Sequence, residues 1–322
     1  MSFARITGSG SYLPERVLSN RDLEAMVDTT AQWIVERTGV RQRHIAAEDE
    51  STCDLAEVAV RRALEAAQRS PGDIDLVVLG TTTPDKIFPS TACLLQERLG
   101  IKNCPAFDVQ AVCSGFIYAL DIAHRYIRTE GATRALVIGA ETFSRIVDWS
   151  DRTTCVLFGD GAGAVVLEAS DTAGILSCHL HADGYYQSLL HVPDGIYSGC
   201  RSRPDTRAYV KMQGGEVFKF AVKAMEQMVD EALSANGVQK HDLDWLIPHQ
   251  ANSRIIEAAA RKLNLPMEQV VTTVERHGNT SAASIPLALD EAIRDGRIER
   301  GQLLLLEAVG AGFTWGSALL RY

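Results

Sequence analysis

Apolar residues recur along this chain in two rhythms. Ile74-Asp75-Leu76-Val77-Val78-Leu79-Gly80-Thr81 and Arg134-Ala135-Leu136-Val137-Ile138-Gly139-Ala140-Glu141 are nearly unbroken apolar runs, as strands buried on both faces require. Ala106-Phe107-Asp108-Val109 reads as a shorter strand. Helical spacing predicts helices from Asn20 to Val27 with Asn20 as N-cap, from Ala56 to Arg69, from Ser90 to Leu99 and from Phe116 through Tyr126. Later stretches from Gly215 to Ala235 and from Asn252 to Leu263 read the same way. Strands alternating with helices predict an α/β fold with a largely parallel sheet. Ile6 to Pro14 is expected to be a short strand breaking into a turn, with Gly8 and Gly10 in a loop. Asp183 to Ala208, rich in Gly, Pro, Ser and Arg, is expected to be an excursion over the surface.

The second half repeats the first. Asp244-Trp245-Leu246-Ile247-Pro248 echoes the run from Asp75, Arg261-Lys262-Leu263-Asn264 echoes Glu97-Arg98-Leu99-Gly100, and Thr272-Thr273-Val274 echoes Phe107-Asp108-Val109. Ala288-Leu289-Asp290 echoes Ala119-Leu120-Asp121, and Leu303 to Ala308 echoes Leu136 to Glu141. The offsets are 169, 164, 165, 169 and 167 residues, steady enough to imply two copies of one fold, 1–172 and 173–322.

Composition narrows the class. The 322 residues are 46% hydrophobic, enough for a large core, and carry a formal charge of -9. No nucleic-acid partner is expected of so acidic a chain, and an anionic substrate needs a local basic patch. The seven cysteines, Cys53, Cys93, Cys104, Cys113, Cys155, Cys178 and Cys200, contain no C-x-x-C pair. Neither a disulfide framework nor a metal site is expected, and a reducing compartment fits. Without a signal-like start or a membrane-length apolar run, a soluble cytoplasmic protein with no membrane partner is expected.

Chemistry concentrates at Ala111-Val112-Cys113-Ser114-Gly115-Phe116, where a strand gives way to a helix. A thiol there faces unpaired N–H groups and the positive end of a helix dipole, which favour the thiolate and can hold an oxyanion. A buried, inert cysteine is the competing reading. The repeat sets two stretches opposite it: Pro248-His249-Gln250-Ala251-Asn252 and His277-Gly278-Asn279-Thr280-Ser281-Ala282-Ala283-Ser284. On the offset of 165, Cys113 maps onto Gly278, next to Asn279. A His and an Asn facing a turn cysteine favour nucleophilic catalysis. Phe158-Gly159-Asp160-Gly161-Ala162-Gly163 lacks the Lys-Ser/Thr ending of a phosphate loop and runs into a strand, so close backbone packing accounts for it better.

These motifs resemble those of the β-ketoacyl-acyl-carrier-protein synthase III family, the initiating condensing enzymes of type II fatty-acid synthesis within the thiolase superfamily. The resemblance runs nearly the whole chain, from Gly10-Ser11-Tyr12-Leu13-Pro14 and Trp33-Ile34 to Gly312-Phe313-Thr314-Trp315-Gly316. It implies an αβαβα layered fold of two pseudo-repeated halves, and an acyltransferase that condenses an acyl-CoA, acetyl-CoA or another short one, with malonyl-acyl-carrier protein. Cys113 takes the acyl group; His249 and Asn279 donate hydrogen bonds to the enolate left by CO2 loss; the backbone N–H groups of Cys113 and Ala311 form the oxyanion hole. CoA thioesters are substrates, and no cofactor is implied.

By the same resemblance Trp33 and Arg152 flank the CoA adenine, Arg37 lies near its phosphates, and Gly214 and Asn252 line the pantetheine tunnel. Gln250, Ala251, Asn252, Ser253, Arg254, Lys219, Arg261 and Lys262 are expected to dock the carrier protein, and Phe88 to close the acyl pocket of a partner subunit in a homodimer. Val112 stands where Ala is common, which leaves acyl preference open. A same-fold starter-unit ketosynthase of a secondary-metabolite pathway is the alternative. A degradative thiolase needs a second Cys where Gly310-Ala311-Gly312 stands, a chain-length-factor subunit lacks the nucleophile, and a serine hydrolase needs a Gly-x-Ser-x-Gly that does not occur.

Overall fold

The computed structural model describes residues 3–193, 195 and 209–322. Cys200 and the latter part of the expected surface excursion lie outside the described residues.

The first half opens with β1 (Phe3–Tyr12) and a small ribbon of β2 (Arg16–Ser19) and β3 (Gln42–Ile45), between which run α1 (Asn20–Glu24) and α2 (Ala31–Thr38). Next come α3 (Thr52–Ala67), β4 (Leu76–Gly80), α4 (Thr91–Leu99), β5 (Ala106–Val109), α5 (Gly115–Arg128), β6 (Arg134–Glu141) and β7 (Gly161–Ser170). The sheet order is β1-β7-β6-β4-β5, with β4 parallel to both β5 and β6 and the β1 edge antiparallel.

The second half contributes β8 (Ile175–Ala182), a ribbon of β9 (Leu190–His191) and β10 (Lys211–Met212), α6 (Gly214–Asn236), β11 (Trp245–Pro248), α7 (Ser253–Leu263), α8 (Val274–His277), α9 (Ser284–Arg294), β12 (Leu303–Gly310) and β13 (Thr314–Arg321). Its sheet runs β11-β12-β13-β8 with the same mixture of directions. The strand expected at Thr272–Val274 is absent: the fifth position shrinks to one parallel bridge, Leu246 to Val270, and Val274 already begins α8.

The layers follow from which faces are apolar. The helices α5 and α9 lie between the two sheets, in a core holding Phe116, Leu120, Ile285, Leu289, Leu304 and Leu306. Outside the first sheet, α3 and α4 cover Leu79, Leu136 and Ile138; outside the second, α6 and α7 cover Leu246, Leu305 and Leu319. This is the expected αβαβα arrangement.

Further expectations need correction. The sheets are mixed, not largely parallel: β1 with β7, β7 with β6, β12 with β13 and β13 with β8 all pair antiparallel. Gly8 and Gly10 belong to β1, not to a loop; a Cβ at Gly10 would stand 2.3 Å from the Ala59 carbonyl oxygen of α3, so glycine is required by a helix pressed onto the strand. Ser19, not Asn20, caps α1, in a capping box with Asp22. Asn20 is buried instead, its side chain bridging the Val40 carbonyl and the Arg43 guanidinium.

Candidate active site

The repeat relates Cys113 to a different residue from the one its sequence spacing indicates. A tight turn, Val112–Ser114, precedes α5, and a matching turn, Ser281–Ala283, precedes α9. Both open on a residue with left-handed backbone, Val112 at φ 47° and Ser281 at φ 49°. Cys113 therefore matches Ala282 at an offset of 169, not Gly278 at 165, because Thr272–Val274 is no strand and cannot set the register. A β-branched residue held at positive φ costs on the order of 1–3 kcal/mol, and the surroundings hold it there. Thr314 Oγ1 donates to the Ala111 carbonyl at 2.9 Å, and Ser114 Oγ donates to the Thr314 carbonyl at 3.0 Å.

Cys113, His249 and Asn279 line one cavity of about 520 Å³. His249 follows the end of β11, its own N–H bonded to the Glu307 carbonyl at 2.7 Å. Its ring Nδ1 lies 2.6 Å from Ser284 Oγ. That oxygen also accepts the Gln250 N–H at 3.4 Å; the pair fixes the ring orientation, and in the tautomer where the Ser284 hydroxyl donates to Nδ1 the ring proton sits on Nε2. Burial drives the imidazole pKa down to about 3, so it is a neutral donor.

Asn279 is fixed from three sides. Its N–H donates to the Leu157 carbonyl at 2.8 Å and its carbonyl accepts the Gly159 N–H at 3.0 Å. Its side-chain Oδ1 accepts the Ser281 N–H at 2.9 Å, which leaves Nδ2 free to donate. The glycine-rich stretch thus holds Asn279 and cradles no phosphate: a Cβ at Gly159 would stand 2.7 Å from the His277 carbonyl oxygen. Asp160, fully buried, accepts from Ser144 and from the Ala46 N–H and pins that stretch in place.

The thiolate expected at Cys113 is not the resting form. Burial pushes the Cys113 thiol up to about 12, opposed only in part by the neighbouring Ser281. A partly open helix end does not offset complete removal from water.

Toward the cavity mouth stand Trp33, Arg37, Arg152, Gly214 and Asn252, all five of the residues expected to meet CoA. The Arg152 guanidinium sits 5.1 Å from the Trp33 ring centroid, a cation–π pair that puts a flat ring and a fixed positive charge together at the mouth. Asn252 caps α7 and donates its amide to the Arg37 carbonyl at 3.0 Å. Gly310 is the loop residue that faces the nucleophile, since a Cβ there would lie 2.9 Å from Cys113 N; Ala311 is absent from the cavity wall.

The docking residues divide. Arg254 is exposed at the mouth, 5.2 Å from the Phe218 ring centroid. Ala251 and Asn252 also line the mouth, while Ser253 packs beneath Gly39. Gln250 cannot dock anything: it is 0% exposed, and its amide bonds the Pro248 and Val271 carbonyls and the Thr273 and Val274 N–H groups. Its buried amide ties the His249 loop to the segment carrying Asn279. Lys219 pairs with Glu216, Lys262 with Asp230 and Arg261 with Glu257, so the basic face is largely compensated apart from Arg254. Phe88 is 83% exposed and does not line this chain's cavity. Sequence reasoning missed Phe218 and Val309 and gave Phe313 and Ser284 no role beyond their motifs; an acidic residue in an otherwise apolar strand, Glu141, is a signal that could have pointed to more behind Cys113.

Comparisons with known proteins point one way. Family models for the 3-oxoacyl-[acyl-carrier-protein] synthase III domain and its C-terminal domain match residues 107–184 and 233–322. The chain is 65% identical over 322 residues to β-ketoacyl-[acyl-carrier-protein] synthase III of Thioalkalivibrio sulfidiphilus, covering all of both chains. It is 63% identical to the protein of that name from Xanthomonas campestris, covering 99% of this chain and 98% of the relative. Among solved structures, 3-oxoacyl-[acyl-carrier-protein] synthase III from Aquifex aeolicus matches with a TM-score of 0.93 and 50% identity over 99% of this chain and 100% of that one. A priming β-ketosynthase from a polyketide biosynthetic pathway matches with a TM-score of 0.94 and 38% identity, over 99% and 96%.

Proposed function

The chain belongs to the β-ketoacyl-acyl-carrier-protein synthase III family, and from that premise we propose that Cys113, His249 and Asn279 carry its two half-reactions. The enzyme condenses an acyl-CoA with malonyl-acyl-carrier protein, releasing CoA and CO2, and so initiates fatty-acid synthesis.

The observation that carries the assignment is the convergence, at one cavity, of a thiol from the first half and two oriented neutral donors from the second. Cys113 attacks the acyl thioester, with its own N–H receiving the oxyanion beside Gly310; the Ala311 N–H expected to join it is not on the cavity wall. CoA enters past Trp33, Arg152 and Arg37, and its pantetheine arm passes Gly214 and Asn252. Malonyl-carrier protein then loses CO2 while His249 Nε2–H and Asn279 Nδ2–H hold the enolate oxygen. The enolate attacks the acyl group on Cys113. The chemistry as written needs no resident metal or cofactor.

Arg254, exposed and held on Phe218, receives the acidic carrier protein at the mouth. We place Phe88 at the acyl pocket of a second copy, since its ring is bare in a single chain. No helix among the described residues is long and apolar enough to cross a membrane, and Cys53, Cys93, Cys104, Cys113, Cys155 and Cys178 are free thiols, which suits the cytoplasm.

The test is the mass gained by Cys113 after incubation with a panel of short, branched and long acyl-CoAs. We expect acylation by short-chain donors and none in Cys113→Ser. Acylation of that variant would move the nucleophile elsewhere. A preference for bulky starters would favour a secondary-metabolite role, which the likeness to a priming ketosynthase keeps in view.

A further inference from the structure

Behind the nucleophile lies a buried carboxylate that the scheme above does not use. Glu141 ends β6 with 0% exposure. Its Oε2 accepts from Thr81 Oγ1, the N–H groups of Thr82 and Thr83, and Thr83 Oγ1, at 3.3, 3.1, 3.1 and 2.6 Å. Its Oε1 accepts from Ser281 Oγ at 2.9 Å. The turn carrying Ser281 packs against the turn carrying Cys113. One hydroxyl, its hydrogen given to the carboxylate, therefore lies between the nucleophile's turn and Glu141, where Ser281 is held at positive φ while its N–H positions Asn279.

Five donors are more than a structural carboxylate at the end of a strand requires, yet among the described residues none of them is charged. The titratable groups around it are the Cys113 thiol, on the turn packed against Ser281, and the neutral His249 across the cavity. Burial lifts Glu141 to about 7 against the pull of its donors, which sets it near the ambient pH, where a general base works best. His249, by contrast, spends its proton-bearing Nε2 on the substrate and has Nδ1 occupied by Ser284.

We propose that Glu141 is the base that deprotonates Cys113, acting through Ser281. The inference rests on the reading of Cys113 as the nucleophile. As sulfur attacks the thioester carbon, the S–H bond breaks and its proton passes to Ser281 Oγ. The Ser281 O–H bond breaks in the same event, and that proton passes to Glu141 Oε1. The departing CoA thiolate takes a proton from solvent. When the enolate displaces the acyl group, the Cys113 thiolate that leaves recovers the Glu141 proton by the reverse path. One proton is consumed per turnover, matching loss of the malonyl carboxylate as CO2. In this scheme Ser281 takes the proton from the reacting sulfur; Glu141 is a positioning and relay residue.

The experiment measures the rate of Cys113 alkylation by iodoacetamide against pH, with the modified residue located by mass, in wild type, Ser281→Ala and Glu141→Gln. Wild type should climb through pH about 7 and then level off. Both variants should lose that step and react about 100-fold more slowly on the plateau, the usual worth of a positioned base. A folded variant that keeps the step and the rate overturns the relay. Mere removal of a negative neighbour predicts the opposite for Glu141→Gln, a faster thiol.

Should a variant not fold, wild type alone decides through the dependence of the rate on the deuterium fraction of the solvent. Two protons moving together give a normal, curved dependence, whereas a preformed thiolate gives none that is curved, and the relay then fails. Acyl label found on another cysteine overturns the nucleophile itself, which separates that failure from failure of the relay.

Discussion

Asn279 turns its side-chain oxygen onto the Ser281 N–H, 2.9 Å away, and by doing so commits its amide hydrogens to the cavity. Asn279→Ala should therefore accept acyl groups onto Cys113 at near the wild-type rate yet lose decarboxylation of malonyl-carrier protein by ~100- to 1000-fold. Acyl-enzyme by intact mass and CO2 from labelled malonyl-carrier protein, measured on one preparation, check it. A variant that decarboxylates normally, or cannot be acylated, contradicts the division of roles.

Ser284 decides which ring nitrogen of His249 bears the proton. Ser284→Ala removes that choice without touching substrate, so kcat for condensation should fall roughly tenfold, about one hydrogen bond's worth, with KM for malonyl-carrier protein little changed. A rise in KM with kcat intact would assign Ser284 to binding instead.

Among the residues expected to dock the carrier protein, Arg254 is the cation that no acidic side chain holds in the ion pairs of the described residues, whereas Lys219, Arg261 and Lys262 are paired. Arg254→Glu should raise KM for malonyl-carrier protein while leaving acyl-CoA loading nearly intact, and the gap should close as salt rises. Lys262→Ala should do much less, because Lys262 is already paired with Asp230 at 2.8 Å. Equal losses in both half-reactions would make Arg254 structural.

Acid should destabilise the fold through two groups of known sign. His249 has its folded pKa pushed by burial from 6.5 to about 3, so below 6.5 the unfolded chain takes up a proton that the fold refuses. Glu291 is raised by burial but lowered more by His277 and Arg276, ending near 2 instead of 4.5; its contribution is present above 4.5 and drains away toward 2. Each proton taken up only on unfolding steepens the loss by about 1.4 kcal/mol per pH unit. Between 6.5 and 4.5 the raised Glu141 carboxyl takes up a proton in the fold and offsets His249, so the urea midpoints of wild type and His249→Gln are compared. His249→Gln should lose less stability than wild type as pH falls through that range, and both should lose it below 4.5 as Glu291 protonates. Equal slopes for wild type and His249→Gln between pH 6.5 and 4.5 would contradict the His249 shift.

The sheets were legible because a strand buried on both faces has to be apolar throughout, as Leu76–Gly80 and Ala135–Ala140 are. The turn at Cys113 was legible because a short strand ends there and helical spacing begins. What escaped depended on partners distant in sequence. Nothing near Gly8 or Gly10 reports that α3 will press on them, and nothing near Gln250 reports that its amide will be taken by Val271, Thr273 and Val274. Strand echoes also overstated the second half, since Val270 keeps one bridge of a strand that β5 has in full. Burial of Cys113 reversed the expected thiolate, because desolvation acts on the whole side chain and a helix end on one side of it.

The two turns that face one another grow from α5 and α9, helices enclosed between both sheets. The outer wall of the same cavity is different in kind: Phe218 and Val217 on the outermost helix and Met212 on a two-residue strand. Opening the floor therefore demands near-global unfolding, whereas the wall can part at the expense of one layer. Amide protons of Gly115 to Leu120 should exchange with solvent on the slowest scale of the molecule, and those of Gly214 to Ala221 far sooner. The enzyme then has a template that does not yield and a door that does. Whatever movement substrate entry requires falls to the door, while the reacting atoms meet one fixed geometry.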